Sequence, residues 1–172
     1  IFEPEDQPKS FLLRSYEFVL FLYICPMQTL NFPLYEFRFK SSENKRYIFD
    51  IIRKKFVVLT PEEWVRQHTI HFLLKEKHYP QSLMSVEKRI YINHLTKRYD
   101  IVIYRSDGSI FLVVECKAPQ VAITQEVFDQ IARYNMQLQA ENLMITNGLQ
   151  HIFYQVDLLK QAYVFLRELP EF

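Results

Sequence analysis

The stretch YDIVIYRSDGSIFLVVECK, residues 99–117, decides the fold. Residues 99–104 have the composition of a strand, and residues 110–117 form a second, very apolar strand that we expect at the centre of a sheet. The Asp107-Gly108 pair between them is typical of a tight hairpin turn. The sequence therefore predicts a β-hairpin with at least one buried strand.

Three charged residues of this hairpin are predicted to meet at one end. Side chains alternate between the two faces of a strand, so Glu115 and Lys117 share a face and Cys116 points to the other. Counting outwards from the turn brings Asp100 level with Glu115. Two carboxylates and an ammonium are costly to bury unless they pair with each other or hold a metal ion.

A hard divalent cation would resolve this cost. Asp100 and Glu115 can supply oxygen ligands, the backbone carbonyl of Cys116 can supply another, and magnesium accepts such a site while keeping several waters. Lys117 can then orient or deprotonate an attacking water, or balance charge on a phosphate. This layout suits phosphodiester hydrolysis. The alternative is an aspartate beside a turn, with Glu115 and Lys117 as an ordinary solvated pair.

A helix is predicted to begin at residues 60–63, Thr-Pro-Glu-Glu, and to run to about Lys77. Thr60 suits the N-cap, Pro61 suits the first helical position, and Glu63 suits the third position of a capping box. Glu62 has no such role and can turn towards the metal. Its alternative role is to favour the helix dipole.

A second long helix is predicted after Thr124, with apolar residues at helical spacing. On it, Gln130 and Tyr134 are one turn apart and share a face. They can reach a phosphate or brace Lys117. Tyr134 taken alone is also a natural core residue.

The remaining segments complete a mixed α/β domain with one central sheet covered by helices. Alternating apolar and polar residues predict a strand over residues 34–40, and residues 47–59 are expected to supply one or two short strands. Further strands are predicted at residues 83–93, 142–146, 150–156 and 162–166.

Residues 1–26 differ in texture from the rest of the chain. They hold an apolar run, residues 11–25, which is too short and too charged for a membrane span and lacks the features of a secretory signal. We expect residues 1–26 to be an extraneous, non-native leader, with Met27 as the native start and residues 27–172 as one domain. The competing interpretation is an extra helix or strand packed on that domain.

The whole set of motifs resembles a known family. The pattern Asp100…Glu115-Cys-Lys117, followed by Gln130-x-x-x-Tyr134, is similar to the PD-(D/E)XK nucleases. The wider run from LNFPLYEFRFK through VVECKAP to ITNGLQH resembles the N-terminal domain of type I restriction enzyme R subunits, especially short stand-alone relatives of the Bacteroidetes type. The resemblance covers about residues 27–172. Tyr99 replaces the usual proline of the motif.

The resemblance implies a restriction-endonuclease-like fold and a magnesium-dependent DNA endonuclease, with manganese as a possible substitute. Asp100 and Glu115 would bind the metal, Lys117 would be the catalytic lysine, and Gln130 and Tyr134 match the family's extra motif. Glu62 matches the acid of the family's first helix.

The resemblance also implies partners, namely DNA and either specificity and methyltransferase subunits or a separate motor. A homodimer would ease double-strand cutting. The alternative function is a non-cleaving nucleic-acid-binding or assembly module that retains the fold.

Composition restricts these options. The chain has two glycines and no G-x-x-x-x-G-K-[ST] loop, so it carries no ATP-driven motor of that type. Two cysteines at unrelated positions predict neither a disulfide framework nor a zinc site, and this fits a reducing cytoplasm. We expect no association with a membrane. The formal net charge of +1 gives no strong overall signal for nucleic acid.

Overall fold

The computed structural model describes residues 27–92, 95–157, 159–160 and 162–172. The predicted leader, residues 1–26, lies outside the described residues. Within the described part, no helix is long and apolar enough to cross a membrane.

A small antiparallel sheet of three strands begins the described chain. Its strands are β1 (Phe39–Ser42), β2 (Lys45–Asp50) and β3 (Lys55–Val58), paired in the order β1-β2-β3. The β1–β2 connection is a two-residue turn in which Glu43 and Asn44 both have positive φ, at 50° and 58°. Two successive positive φ values are the signature of a type I′ turn, which matches the twist of the strands it joins.

The first helix, α1, spans Pro61–Lys75 and begins as predicted. The Thr60 side chain accepts a hydrogen bond from the Glu63 backbone N–H at 3.0 Å, and Pro61 occupies the first helical position. The helix ends at Lys75, two residues before the predicted end. Glu63 does not close a capping box, because its carboxylate is taken by arginine and glutamine side chains described below.

A six-stranded mixed sheet forms the centre of the domain, in the order β4-β5-β6-β7-β8-β9. Strands β6 and β7 are parallel, and the other neighbours are antiparallel. The strands are β4 (Met84–Ile92), β5 (Leu95–Tyr104), β6 (Ile110–Cys116), β7 (Asn142–Thr146), β8 (His151–Asp157) and β9 (Ala162–Leu166).

Helix α2, Gln125–Leu138, connects the parallel strands β6 and β7. Parallel neighbours require such a crossover connection. Thr124 is the N-cap residue by position but makes no capping hydrogen bond through its side chain. Gly108 in the β5–β6 loop has φ of 87°, which fits the predicted hairpin turn.

Each face of the central sheet carries its own hydrophobic core. On one face, Val65, Ile70 and Leu73 of α1 pack with residues that include Ile101 and Val114. On the other face, Ile131 and Leu138 of α2 pack with a second set of buried residues, Tyr99, Val102, Val113, Ala140, Leu143 and Ile145. Helices on both faces explain why β6 and β7 are apolar almost throughout. The predicted mixed α/β class is confirmed.

The strand predicted over residues 34–40 is wrong in extent, because β1 begins only at Phe39. The alternation of buried and exposed residues is real, but it arises from packing against a helix. Tyr35 is buried, and Phe37 lies with its ring 4.7 Å from the rings of both His68 and His71 in α1. An alternation of apolar and polar residues with a period of two therefore identifies an extended segment, but it does not show whether a strand or a helix packs against that segment.

Candidate active site

The β5–β6 hairpin places the two predicted acids at neighbouring positions on two strands. Ile101 and Val114 form the last pair of the antiparallel ladder, and the next positions outwards are Asp100 and Glu115. The register at this end of the hairpin is the predicted one, although the pairing shifts by one residue between Ile103 and Tyr104 near the turn.

Asp100 is buried and uses both of its carboxylate oxygens. Oδ2 accepts a hydrogen bond from the backbone N–H of Cys116 at 2.7 Å. Oδ1 accepts two hydrogen bonds from Arg66, from Nη2 at 2.6 Å and from Nε at 3.1 Å. One oxygen thus fixes Asp100 to the end of β6, and the other ties it to α1.

Glu115 and Lys117 form an ion pair on the strand that ends beside Asp100. Lys117 Nζ donates to Glu115 Oε1 at 2.8 Å, with side chains 24% and 13% exposed. Burial lowers the pKa of Lys117, but the hydrogen bond and charge of Glu115 outweigh it, and Asp100 and Glu62 add to the rise. The net effect is a raised pKa, so Lys117 is an ammonium at neutral pH.

Arg66 of α1 is the centre of the charges around Asp100. It contacts four carboxylates, those of Glu62, Glu63, Glu87 and Asp100. The Arg66 side chain is 5% exposed, and burial opposes its charge, yet the acids around it raise its pKa above the usual value. The cost of burying the Arg66 guanidinium is offset because the four carboxylates contact it.

The two adjacent glutamates at the start of α1 have different roles. Glu63 is buried and is shared by Arg53, Arg66 and Gln67. Glu62 is 48% exposed and contacts Arg66 Nη2 at 2.9 Å, the same nitrogen that binds Asp100. Glu62 therefore lies next to Asp100 and retains access to solvent, and its role as a metal ligand stays a prediction.

The two predicted residues of α2 differ in their surroundings. Tyr134 is half-buried, and its charge contributes with that of Glu115 to the raised pKa of Tyr99, about 12, for which burial is the main cause. Tyr134 therefore lies on the side of the hairpin that carries Glu115. Gln130 is exposed, and its side chain makes no hydrogen bond to any described residue. The bracing of Lys117 by Gln130 stays a prediction.

Comparison with known proteins identifies the family. The model of the type I restriction enzyme R protein N terminus matches residues 61–170. The chain belongs to this family. No curated protein matches the chain at a significant level. The matched residues include both helices and the six-stranded sheet.

A solved structure is also similar to this R-protein N-terminal domain. It is a fragment described as an HsdR subunit of a type I restriction enzyme from Vibrio vulnificus YJ016. The two chains are 20% identical, the TM-score is 0.46, and the match covers 66% of this chain and 24% of that one. The chain thus corresponds to about a quarter of the length of the solved relative.

The donor chemistry of the site fits a hard cation in part. Asp100, Glu115 and Glu62 offer oxygen ligands of the type that magnesium binds, and two of them, Asp100 and Glu62, already contact a cationic group, the Arg66 guanidinium. Among the described residues, however, no three His, Cys, Asp or Glu side chains are preset to hold a metal ion. An ion would take Asp100 and Glu115 together with backbone oxygen and water, in competition with Arg66 and Lys117.

The sequence did not reveal the roles of Arg66 and Glu87 in this R-protein domain. Glu87 lies on β4 opposite Asp100, between the pairs Val86–Ile101 and Lys88–Tyr99. It has a positive φ of 55°, and its carboxylate also contacts Arg98 at 2.9 Å. The four-residue spacing of Glu62 and Arg66 was the available signal, since it predicts a helical ion pair. The contact between Glu87 and Arg66 could be recognised only once the pairing of β4 with β5 was known.

Proposed function

We propose that this chain hydrolyses phosphodiester bonds of DNA with a divalent cation, using Asp100, Glu115 and Lys117. The observation that supports the proposal is the position of Asp100 and Glu115 next to the Ile101–Val114 pair of two neighbouring strands, with the Lys117 ammonium on Glu115. Two acids and a cation at a partly open sheet end are suited to attack at a phosphorus atom. The family membership supports the same chemistry.

Asp100 and Glu115 would hold the magnesium or manganese ion, with the Cys116 carbonyl and Glu62 as further ligands. When bound, the ion supplies Lewis-acid stabilisation of the phosphoryl oxygens and of the leaving group. Asp100 is oriented for this role before any ion arrives, because the Cys116 backbone N–H fixes one of its oxygens. Pre-orientation of a ligand reduces the reorganisation needed on binding.

Lys117 acts in this proposal as a positive charge. Its raised pKa keeps the proton on Nζ, so it is poorly suited to deprotonate water in the state described here. An ammonium 2.8 Å from Glu115 can instead move onto a phosphate oxygen and stabilise the charge that develops there. Tyr134 and Gln130 would orient the phosphate or Lys117 from α2.

A second candidate is a DNA-binding or assembly module without cleavage. The observation that favours it is the pair of hydrogen bonds from Arg66 to Asp100 Oδ1, because Arg66 must move before a metal can use that oxygen. If that displacement is too costly, the same fold is stable without metal and does not cut.

The test is cleavage of supercoiled plasmid in a series of divalent cations. Wild-type protein should nick DNA with Mg²⁺ or Mn²⁺ and not with EDTA, and Lys117→Ala and Asp100→Asn should each reduce the rate by roughly a hundredfold or more. Lys160→Ala is the matched control, because Lys160 pairs only with the nearby Asp157 at the surface. DNA binding without cleavage in any metal would favour the second candidate.

Partners and location belong to the same proposal. DNA is the substrate, and the specificity and methyltransferase subunits of a restriction–modification system, or a separate motor, are the partners that the family suggests. A homodimer would supply the second site needed to cut both strands. A cytoplasmic location follows from such a role.

A further inference from the structure

The outward face of the small β1-β2-β3 sheet combines cations with aromatic rings. Lys40 pairs with Tyr47, and Phe49 pairs with Phe56, so the members of each pair share a face. We call this surface the basic face; it consists of Arg38, Lys40, Lys45, Tyr47, Phe49 and Phe56. The three cations are exposed and the three rings are half-buried.

Positive charge is concentrated in this part of the chain. Residues 27–60 contain seven Lys or Arg and three Asp or Glu, whereas residues 61–172 contain 12 and 13. Of the three acids, Asp50 is fully buried and accepts hydrogen bonds from Arg53, Gln67 and two backbone amides. The small sheet is therefore a cationic patch on a nearly neutral domain.

Two of the three cations of the basic face, Arg38 and Lys40, are held against the rings. The Arg38 guanidinium carbon lies 3.9 Å from the centre of the Phe49 ring, and Lys40 Nζ lies 4.8 Å from Phe56 and 5.2 Å from Tyr47. Cation–π contacts restrict the side chains while leaving the charge available to an anion. Within the described part of the chain, no carboxylate lies within ion-pair distance of Arg38, Lys40 or Lys45.

The small sheet is linked to the candidate active site by a chain of ion pairs. Arg53, in the β2–β3 turn, contacts Glu63; Glu63 contacts Arg66; and Arg66 contacts Asp100. The sheet is thus fixed to the start of α1, beside the hairpin. It lies outside residues 61–170, the part of the chain that matches the family model.

We propose that the basic face binds the sugar–phosphate backbone of DNA and holds the strand beside the hairpin site. A row of exposed cations, two of them held against rings and none in an ion pair with a described carboxylate, fits regularly spaced phosphates, and a guanidinium can bind a phosphate through two hydrogen bonds. The binding step stands on the basic face alone; its use in positioning a strand for cutting rests on the proposed function.

The test measures binding in EDTA, where cleavage plays no part. Fluorescence anisotropy with duplex and single-stranded DNA of about 30 nucleotides would be recorded over a series of NaCl concentrations. Arg38→Gln with Lys40→Gln should weaken binding about tenfold and reduce the salt slope by about 2, because each lost phosphate contact removes about 0.9. Lys45→Gln, which disturbs no ring contact, should reduce the slope by about 1.

The matched control is Lys160→Gln with Arg167→Gln. It removes two positive charges next to β9, an edge strand of the six-stranded sheet. The proposal is overturned if the control weakens binding as much as the basic-face variant, or if wild-type protein does not bind DNA at low salt. Normal binding by Lys117→Ala, with no cleavage by any protein, would reject the proposed nuclease function and leave the basic face intact.

Discussion

Arg66 donates two hydrogen bonds to a single oxygen of Asp100, at 2.6 and 3.1 Å, across the interface between α1 and the hairpin. The same guanidinium also contacts Glu62, Glu63 and Glu87. In this state the arginine provides a positive charge at the position of the proposed metal ion. The stability of the fold and the proposed metal binding therefore both depend on which cation lies beside Asp100.

Arg66→Ala should reduce the free energy of unfolding by about 3–5 kcal/mol, because it leaves several acids buried without a counter-charge. Urea unfolding at neutral pH measures this loss. Lys77→Ala is the control, since its partner Glu168 is 82% exposed, and it should cost under about 1 kcal/mol. Equal losses in the two variants would show that the arrangement around Arg66 contributes little.

Magnesium should stabilise Arg66→Ala more than it stabilises wild-type protein. Removing the guanidinium frees Oδ1 of Asp100 and lowers the competition for a divalent ion, and any ion that binds the native state raises the unfolding midpoint. Thermal unfolding with and without millimolar MgCl₂ measures the difference. Asp100→Asn in the same background should abolish the added stabilisation.

Parts of the candidate site were predicted from the sequence where local rules applied. Counting residues outwards from the Asp107-Gly108 turn placed Asp100 next to Glu115, and the structure reaches this register through a shift between Ile103 and Tyr104 that the sequence did not predict. Likewise, Thr60 and Pro61 marked the start of α1. These signals come from a few neighbouring residues and do not depend on contacts with distant parts of the chain.

The charge network was not foreseen because it joins distant segments. Glu87 reaches Arg66 only because β4 pairs with β5 and α1 packs on that face of the sheet. Glu63 was expected to cap its own helix, but two arginines compete for its carboxylate more strongly than a backbone N–H does. A guanidinium adds the attraction of an opposite full charge to its hydrogen bonds with a carboxylate, which a neutral backbone N–H does not supply.

Lys117 should react slowly with amine-acylating reagents because the proton is held by Glu115. Peptide mapping after limited acetylation at about pH 9 should find Lys117 less modified than the exposed Lys160. Glu115→Gln removes the main cause of the raised pKa and should increase modification of Lys117. An unchanged extent of modification would argue against the ion pair.

Two buried histidines should make the fold sensitive to mild acid. Burial lowers the pKa of His68 and of His71 to about 4, against 6.5 for an unfolded histidine. Between these values the unfolded state binds more protons, so stability falls as the pH falls through 6.5 towards 4. From pH 7.5 to 5.5 each histidine should cost about 1.3 kcal/mol.

His71→Leu should remove one of these two contributions. Urea unfolding at both pH values should show a loss smaller by about 1 kcal/mol than in wild-type protein. His71 is chosen because its Nδ1 is buried without a hydrogen-bond partner among the described residues. His78→Asn, at an exposed position with φ of 55°, is the control and should leave the pH dependence unchanged.

The two glycines should differ in their tolerance of alanine. Both have positive φ, so each substitution strains the backbone by about 1–2 kcal/mol. A Cβ at Gly148 would also lie 2.7 Å from a methyl carbon of Leu30 and 3.1 Å from one of Val65, whereas a Cβ at Gly108 meets nothing within 4 Å. Gly148→Ala should therefore lower the unfolding free energy by about 1–3 kcal/mol more than Gly108→Ala.

The hydrogen bond from the Cys116 backbone to Asp100 has a consequence for comparing relatives of this domain. Asp100 joins two central strands to a helix, so a descendant that had stopped cutting DNA would still be selected to keep it for folding. Lys117 carries no comparable structural duty beyond its pairing with Glu115. The residue at position 117 should therefore distinguish relatives that cut DNA from relatives that do not better than the residue at position 100 does.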